Sequence, residues 1–497
     1  MSQTQTQALI QEMRALQPPV RRFTADSRKV HAGDAFLAYA GGAHDGRRHI
    51  ADAIEAGARA VLWEPEGFAW QAEWTVFNRP VASLKAQAAA IAAEWYGHPS
   101  EALWTIGVTG TNGKTSCSHW LAEALTALGR RTAMVGTLGN GFPPCGDKPG
   151  ALSETGHTTP DAVTLQGLFA EFREAGAAGV AMEVSSHALD QGRVEATGFD
   201  VAVLTNLSRD HLDYHGDMAA YAHAKAKLFD WPGLKWAVLN LEDELGQRLY
   251  GDLEGGPTRV LGYGLRNGEV HAEHLELHRK GMTLDVTTPW GRGRLQTALL
   301  GEFNAYNLLA CLAALLASEV KLEDALAALA KVKPVAGRLQ RVGSDDAAPT
   351  VIVDYAHTPD ALHKVLDTLK PLAADGRLIC VFGCGGGRDK GKRPQMGGIA
   401  SAQADRVIVT SDNPRGEDPA AIIAEILAGM PPGQTAVVDR ADAIARAIAE
   451  AGSDDIVLIA GKGHEDYQEI AGRRLHFSDV EEAARGLAKW RAEHAAA

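Results

Sequence analysis

The chain has 497 residues, room for about three domains of roughly 150 residues each. Hydrophobic residues make up 45% and charged residues 22%, which excludes wholesale disorder. The 49 Lys and Arg against 62 Asp and Glu leave a formal charge of −13. That balance argues against nucleic acid or an anionic membrane as partner, while one basic pocket could still hold an anionic small molecule.

In chain order, the opening MSQTQTQALIQEM has neither a basic start nor an apolar core, so no signal peptide is expected. Residues 1–99 mix short apolar segments with turns and end in an Ala-rich helical pattern over 84–95, broken by Gly97-His98-Pro99. An apolar strand over 104–108 then meets a Gly-rich turn and a helix. Strand signals over 180–184 and 201–204 alternate with helical ones, and an Ala/Leu-rich helix pair over 304–331 closes the stretch. Its longest purely apolar run, 308–317, has ten residues and is too short to span a bilayer. After Lys333-Pro334-Val335-Ala336-Gly337, read as a linker, strands over 350–354, 378–382, 406–410 and 456–459 alternate with helices. Continuously apolar strands between helices indicate parallel sheets covered on both faces. The expected fold is α/β: an N-terminal α/β domain (1–99) and two doubly wound domains (100–336 and 337–497). The five cysteines show no metal-type pairing, with Cys380 and Cys384 nearest each other; a reduced, cytoplasmic protein is expected.

Gly107-Val108-Thr109-Gly110-Thr111-Asn112-Gly113-Lys114-Thr115 lies between strand and helix. Glycines let backbone amides face phosphate oxygens, and the helix N-terminus favours their charge. Lys114 would reach the β/γ-phosphates and Thr115 would ligate Mg²⁺. The common pattern places Gly where Val108 stands; the bland reading is a tight turn with an incidental lysine. Glu183, with Ser185-Ser186-His187 behind it, and the run from Asn206 to Asp213 follow neighbouring strands, where metal- and water-handling partners belong.

These segments, with Gly301-Glu302-Phe303-Asn304-Ala305-Tyr306-Asn307 and Asp354-Tyr355-Ala356-His357-Thr358-Pro359-Asp360, resemble the Mur ligase family over nearly the whole chain. The shifted phosphate loop is that family's own variant. The resemblance implies ATP-dependent amide formation in peptidoglycan synthesis. It makes 1–99 a nucleotide-sugar-binding domain, 100–336 a P-loop ATPase-like domain and 337–497 a Rossmann-like amino-acid-binding domain. It is to the members that add diaminopimelate. Ser27, Gly42, Ala43 and His44 then resemble the uridine-nucleotide site, and His157, Thr158, Thr159, Ser185, Gln191 and Arg193 the sugar-peptide contacts. ATP would be held by Gly110 to Thr115, Asn304, Asn307, Arg338 and Asp354, and Mg²⁺ by Thr115, Glu183, His211 and a carbamylated Lys225. Lys114, Lys225, His211 and Arg338 are the implied catalytic set; the bland reading of Lys225 is an exposed lysine on a helix over 218–229.

Asp412-Asn413-Pro414-Arg415 follows a strand at the carboxyl end, where doubly wound sheets bind ligands. Arg415 and Arg388 offer guanidinium groups to the carboxylate that distinguishes diaminopimelate from lysine, and Gly461 and Glu465 would take the distal ammonium. Small-molecule substrates, no nucleic acid, no membrane and a monomer are expected. A lysine-adding relative, a folylpolyglutamate synthase-like ligase and, more remotely, a P-loop nucleotide switch stay open as alternatives.

Overall fold

The computed structural model describes residues 2–41, 44–146, 149–153, 156–278, 280–343, 347–373 and 376–494, with the Asp213 side chain also left aside. Gly42 and Ala43, expected at the nucleotide-sugar site, lie outside the described residues. The chain divides into two compact units. The first holds residues 1–273, 286–293 and 306–329, and the second 274–285, 294–305 and 330–497.

In the first unit a four-stranded parallel sheet runs Phe23–Thr24, Ala35–Ala38, Ala60–Trp63, Phe77–Pro80. The helices Gln3–Arg14 and Leu84–Tyr96 supply Ile10, Met13, Leu84 and Ile91 to its core. The same unit carries a larger sheet in which Trp236–Asn240, Val201–Leu204, Trp104–Thr109, Gly179–Glu183 and Thr132–Gly136 lie side by side and parallel. These strands are buried along their length. At roughly 1.5–3 kcal/mol per large aliphatic side chain, this burial explains why these strands are built mainly from Val, Leu, Ile, Met, Ala and Gly. Val108 pairs with Glu183 and Thr109 with Leu204, so the loops that follow three adjacent strands emerge at one edge.

In the second unit the sheet order is Gln340–Val342, Thr350–Asp354, Ile456–Ala460, Leu378–Phe382, Arg406–Val409, Thr435–Ala436, antiparallel only at the first pair. Ile456–Ala460, last of these strands in sequence, inserts between Thr350–Asp354 and Leu378–Phe382. Apolar layers cover both faces. Among the described residues no helix is long and apolar enough to cross a membrane.

Several boundaries differ from the sequence expectation. The helix expected over 218–229 is Met218–Ala226, because Leu228 and Phe229 turn into the core, 0% and 1% exposed, ahead of Trp231-Pro232. The helix pair expected over 304–331 is Glu302–Ala317 and Leu322–Leu329, separated where Glu319 adopts a left-handed φ of 61°. The strands Arg259–Gly264, Val270–His278, Gly281–Thr288 and Gly291–Thr297 were not singled out in the sequence: Val270–His278 is rich in His and Glu, while Gly281–Thr288 buries only the alternating Met282, Leu284 and Val286 among its apolar residues.

Candidate active site

The Trp104–Thr109 strand delivers the loop Gly110 to Gly113 to the helix Lys114–Ala127. Gly110 has φ 144°, and a Cβ there would sit 1.9 Å from Thr205 Oγ1, so this turn needs glycine. Thr205 Oγ1 donates to Asn112 O at 2.5 Å, and Asn206 accepts from Asn112 N at 3.0 Å and donates to Asn112 O at 3.1 Å. The loop is therefore held from the neighbouring Val201–Leu204 strand. Asn307 lies against it, with Oδ1 only 2.4 Å from the place a Gly113 Cβ would take.

Lys114 Nζ donates to Gly110 O at 2.9 Å and Thr111 O at 3.0 Å. Lys225 Nζ donates to the same Gly110 O at 2.7 Å. Lys225 is 1% exposed, so the exposed-helix-lysine reading does not hold. Burial pushes its amine well below the usual lysine value, and the neighbouring Lys114 charge pushes the same way.

Thr115 Oγ1 donates to Glu183 Oε2 at 2.9 Å. Glu183, 1% exposed, also accepts from Thr137 N at 2.7 Å and Thr137 Oγ1 at 3.3 Å. Thr137 was not singled out in the sequence, where an isolated threonine past a strand gives no signal. A hydroxyl beside a carboxylate is a hard oxygen donor set of the kind magnesium takes. Among the described residues no three His, Cys, Asp or Glu side chains form a cage. Magnesium needs none, since it binds one or two protein oxygens and fills its shell with water and phosphate.

His211 has φ 53°, and its Nε2 lies 3.4 Å from Asp210 Oδ2. Its ring meets His187 edge-on, with centroids 4.9 Å apart. His187 in turn lies 4.2 Å from the Tyr214 ring. Thr159 Oγ1 donates to the Glu183 carbonyl at 2.9 Å, and Arg193 Nη1 donates to Thr159 O at 3.0 Å. Gln191 Oε1 accepts from Arg193 Nε at 2.9 Å and Nη2 at 2.6 Å. Thr158 Oγ1 lies 3.1 Å from Thr137 Oγ1, and Ser185 N–H donates to Thr159 Oγ1 at 3.2 Å. Burial and then Arg193 hold His157 below its ordinary value. Thr158, Thr159, Ser185, Gln191 and Arg193 thus connect, through Thr158 and Thr159, to Thr137 and Glu183. Ser27 and His44 follow the parallel neighbours Phe23–Thr24 and Ala35–Ala38, so both belong to the loops leaving one end of the small sheet.

In the second unit Arg338 stacks on Tyr355, its guanidinium carbon 4.8 Å from the ring centre. Asp354 is 6% exposed and accepts from Leu339 N at 2.7 Å and Ala356 N at 2.8 Å. It fixes the turn that carries Arg338; burial raises its carboxyl above the usual value, with Arg338 opposing. Asn304 turns its amide to Leu300 O at 2.8 Å.

The strands Leu378–Phe382, Arg406–Val409 and Ile456–Ala460 deliver their following loops to one edge of this sheet. The Asp412 to Arg415 turn and the Gly461 to Glu465 loop meet there: Asn413 Nδ2 donates to Glu465 Oε2 at 2.8 Å. Lys462, missed in the sequence because lysines are seldom buried, is 0% exposed. It donates to Asn413 Oδ1 at 3.1 Å and Glu465 Oε2 at 3.2 Å. Arg415, at φ 53°, donates from Nη1 to Gly386 O at 2.8 Å, which joins its turn to the glycine run bearing Arg388. Gly461 packs on Asp412, a Cβ there falling 3.0 Å from Oδ2. Burial raises the Asp412 carboxyl, and Arg440 and Lys462 oppose it.

Residues 19–96 match the Mur ligase family catalytic domain, 108–315 the Mur ligase middle domain, and 337–463 the Mur ligase glutamate ligase domain. The chain belongs to the Mur ligase family. It is 53% identical over 475 residues to the UDP-N-acetylmuramoyl-L-alanyl-D-glutamate–2,6-diaminopimelate ligase of Chromobacterium violaceum, covering 95% of each chain. It is 52% identical over 480 residues to the enzyme of that name from Ectopseudomonas mendocina, covering 96% of each. A solved structure of a ligase of the same name, 37% identical, superposes with a TM-score of 0.69 over 96% of both chains. In this Mur ligase the three matched segments follow the order of the N-terminal sheet, the phosphate-loop sheet and the mixed C-terminal sheet.

Proposed function

We propose that this Mur ligase adds meso-2,6-diaminopimelate to the D-glutamate γ-carboxylate of UDP-N-acetylmuramoyl-L-alanyl-D-glutamate at the expense of ATP, in peptidoglycan synthesis. The observation that carries the reading is the 53% identity, over 95% of both chains, with a relative named for that reaction. The γ-phosphoryl group passes to the substrate carboxylate, giving an acyl phosphate and ADP. The amine of diaminopimelate attacks, and phosphate leaves from the tetrahedral intermediate.

The residue roles are those the family resemblance implies, and charge and reach support several of them. The amides of Gly110 to Gly113 and the Lys114 ammonium receive the ATP phosphates. Asn307, against Gly113, and Asn304 offer amide edges to the adenine, Asp354 is assigned to the ribose, and Arg338 to the charge that develops in phosphoryl transfer. Magnesium would be held by Thr115 and Glu183, with His211 and a carbamylated Lys225 as further ligands, and would supply charge neutralisation at the phosphates. The buried, weakly basic Lys225 amine suits carbamylation, which needs the neutral form. Ser27, His44, His157, Thr158, Thr159, Ser185, Gln191 and Arg193 take the UDP-sugar-peptide. Arg388 and Arg415, the latter in the Asp412-Asn413-Pro414-Arg415 turn, clamp the distal carboxylate of diaminopimelate, and Gly461 and Glu465 take its ammonium. A cytoplasmic site of action suits soluble nucleotide substrates and the five unpaired cysteines.

The test is ADP release with ATP, Mg²⁺ and the UDP-linked dipeptide, comparing meso-diaminopimelate with L-lysine. Release that requires diaminopimelate is expected. Release with lysine alone would overturn the amine assignment, and amine-independent release would overturn the ligase reaction.

A further inference from the structure

Arg388 follows three glycines, whereas Arg415 sits on a left-handed turn with its Nε 3.5 Å from Glu469 Oε2 and its Nη1 donating to Gly386 O at 2.8 Å. Something must set the distance between them, and the structure holds a buried device in the right place. Arg393, on the helix Lys392–Gln403, has a side chain 0% exposed. Its Nη1 donates to Glu417 Oε2 at 3.0 Å and Glu425 Oε2 at 2.8 Å. Its Nη2 donates to Glu417 Oε1 at 3.0 Å and Gly385 O at 3.2 Å.

Glu417 extends the link in both directions. Its Oε1 accepts from Gly387 N, the residue before Arg388, at 2.6 Å. Its own N–H donates to Pro414 O, the residue before Arg415, at 2.9 Å. Between them Gly386 N–H donates to Asn413 O at 2.9 Å, and a Cβ on Gly386 would fall 2.0 Å from Pro414 O. The two arginine-bearing segments are thus packed backbone on backbone and tied to one carboxylate.

Desolvating a guanidinium is costly, and Arg393 Nε is buried without a hydrogen-bond partner among the described residues. What the burial does provide is a fixed fork geometry, since Nη1 and Nη2 grip both oxygens of Glu417.

We propose that Arg393 and Glu417 are positioning residues that set the spacing of the Arg388–Arg415 clamp, and through it the affinity and selectivity for an amino acid bearing a second carboxylate. The inference rests on the diaminopimelate reading above.

The experiment measures kcat and KM for meso-diaminopimelate and for ATP in the full-length enzyme, with wild type, Glu417→Gln, Arg393→Lys and Arg393→Met in parallel. Glu417→Gln keeps the shape but turns one acceptor into a donor facing Arg393. Its KM for diaminopimelate is expected to rise about tenfold, the loss of one charge-assisted contact, while the KM for ATP stays within about twofold. Arg393→Lys should fall between wild type and Arg393→Met. An unaltered diaminopimelate KM in Glu417→Gln, or an equal rise for ATP, would overturn the proposal. Should Arg393→Met fail to fold, Glu417→Gln carries the test alone. Wild-type release with lysine alone would instead overturn the substrate reading, so the wild-type arm and the variant arm fail separately.

Discussion

Replacing Glu183 with glutamine separates its charge from its shape. The side chain is 1% exposed and accepts from Thr115 Oγ1, Thr137 N and Thr137 Oγ1. Glutamine keeps an acceptor for the Thr137 amide, and the two hydroxyls can rotate to accept from its NH₂ group. The fold should therefore lose only about 1 kcal/mol, a shift of about 2–4 °C in melting temperature. The catalytic cost is larger. A unit charge about 4 Å from an opposite one, at an effective dielectric near 20, is worth about 4 kcal/mol, which corresponds to roughly a thousandfold in rate. Steady-state ADP release at saturating ATP, Mg²⁺ and both co-substrates should fall by about that factor, and excess Mg²⁺ should not restore it. Turnover within about tenfold of wild type would refute the role of the charge. A melting temperature lowered by more than about 10 °C would refute the separation of charge from fold.

Two further predictions concern the C-terminal sheet. Arg440 and Asp479 form a bidentate pair at 2.7 Å with both side chains 0% exposed. Asp479→Ala should therefore cost about 3–5 kcal/mol in denaturant unfolding, whereas a double replacement by apolar residues of similar volume should cost far less. Glu417 is held at about 2, first by Arg393 and then by the Gly387 amide, against an ordinary 4.5. Its ionised form therefore stabilises the fold above pH 4.5, and that contribution is lost as pH falls through about 2. The gap in melting temperature between wild type and Glu417→Gln should narrow across that window; a gap constant with pH would contradict the pairing.

The turn from the Trp104–Thr109 strand into the Lys114–Ala127 helix was legible despite Val108, because an apolar strand, clustered glycines and Lys114-Thr115 mark it without the extra glycine. Glu183 was legible as a polar residue ending an apolar strand. The sheet order was not. Alternating strands and helices reveal a parallel sheet but not that Ile456–Ala460 inserts between two earlier strands, and this insertion brings Glu465 to Asn413. Lys462 was hidden for a related reason. Flanked by glycines, it reads as a mobile surface residue until the neighbouring loops close over it. Arg393 and Glu417 were hidden too, since charged residues in polar stretches, one at the start of a helix and one just after the Arg415-Gly416 turn, look like an ordinary solvated face. What the sequence withheld throughout is which charges are buried, and that depends on contacts between segments far apart in the chain.

Lys225 shows how burial changes the chemistry a residue can do. As an ordinary lysine it would be protonated near neutral pH and unreactive toward CO₂. In the fold its Nζ shares the Gly110 carbonyl with Lys114 Nζ, at 2.7 and 2.9 Å, so two ammonium groups would crowd one oxygen, the Lys225 one buried. Desolvation and the Lys114 charge both favour the neutral amine. Conversion to the proposed carbamate would replace a repelled cation with an anion beside Lys114, turning a like-charge contact into an attractive one. The Lys114 charge that makes Lys225 a poor ammonium would thus make its carbamate a good neighbour, a relation that the sequence spacing of Lys114 and Lys225 does not reveal.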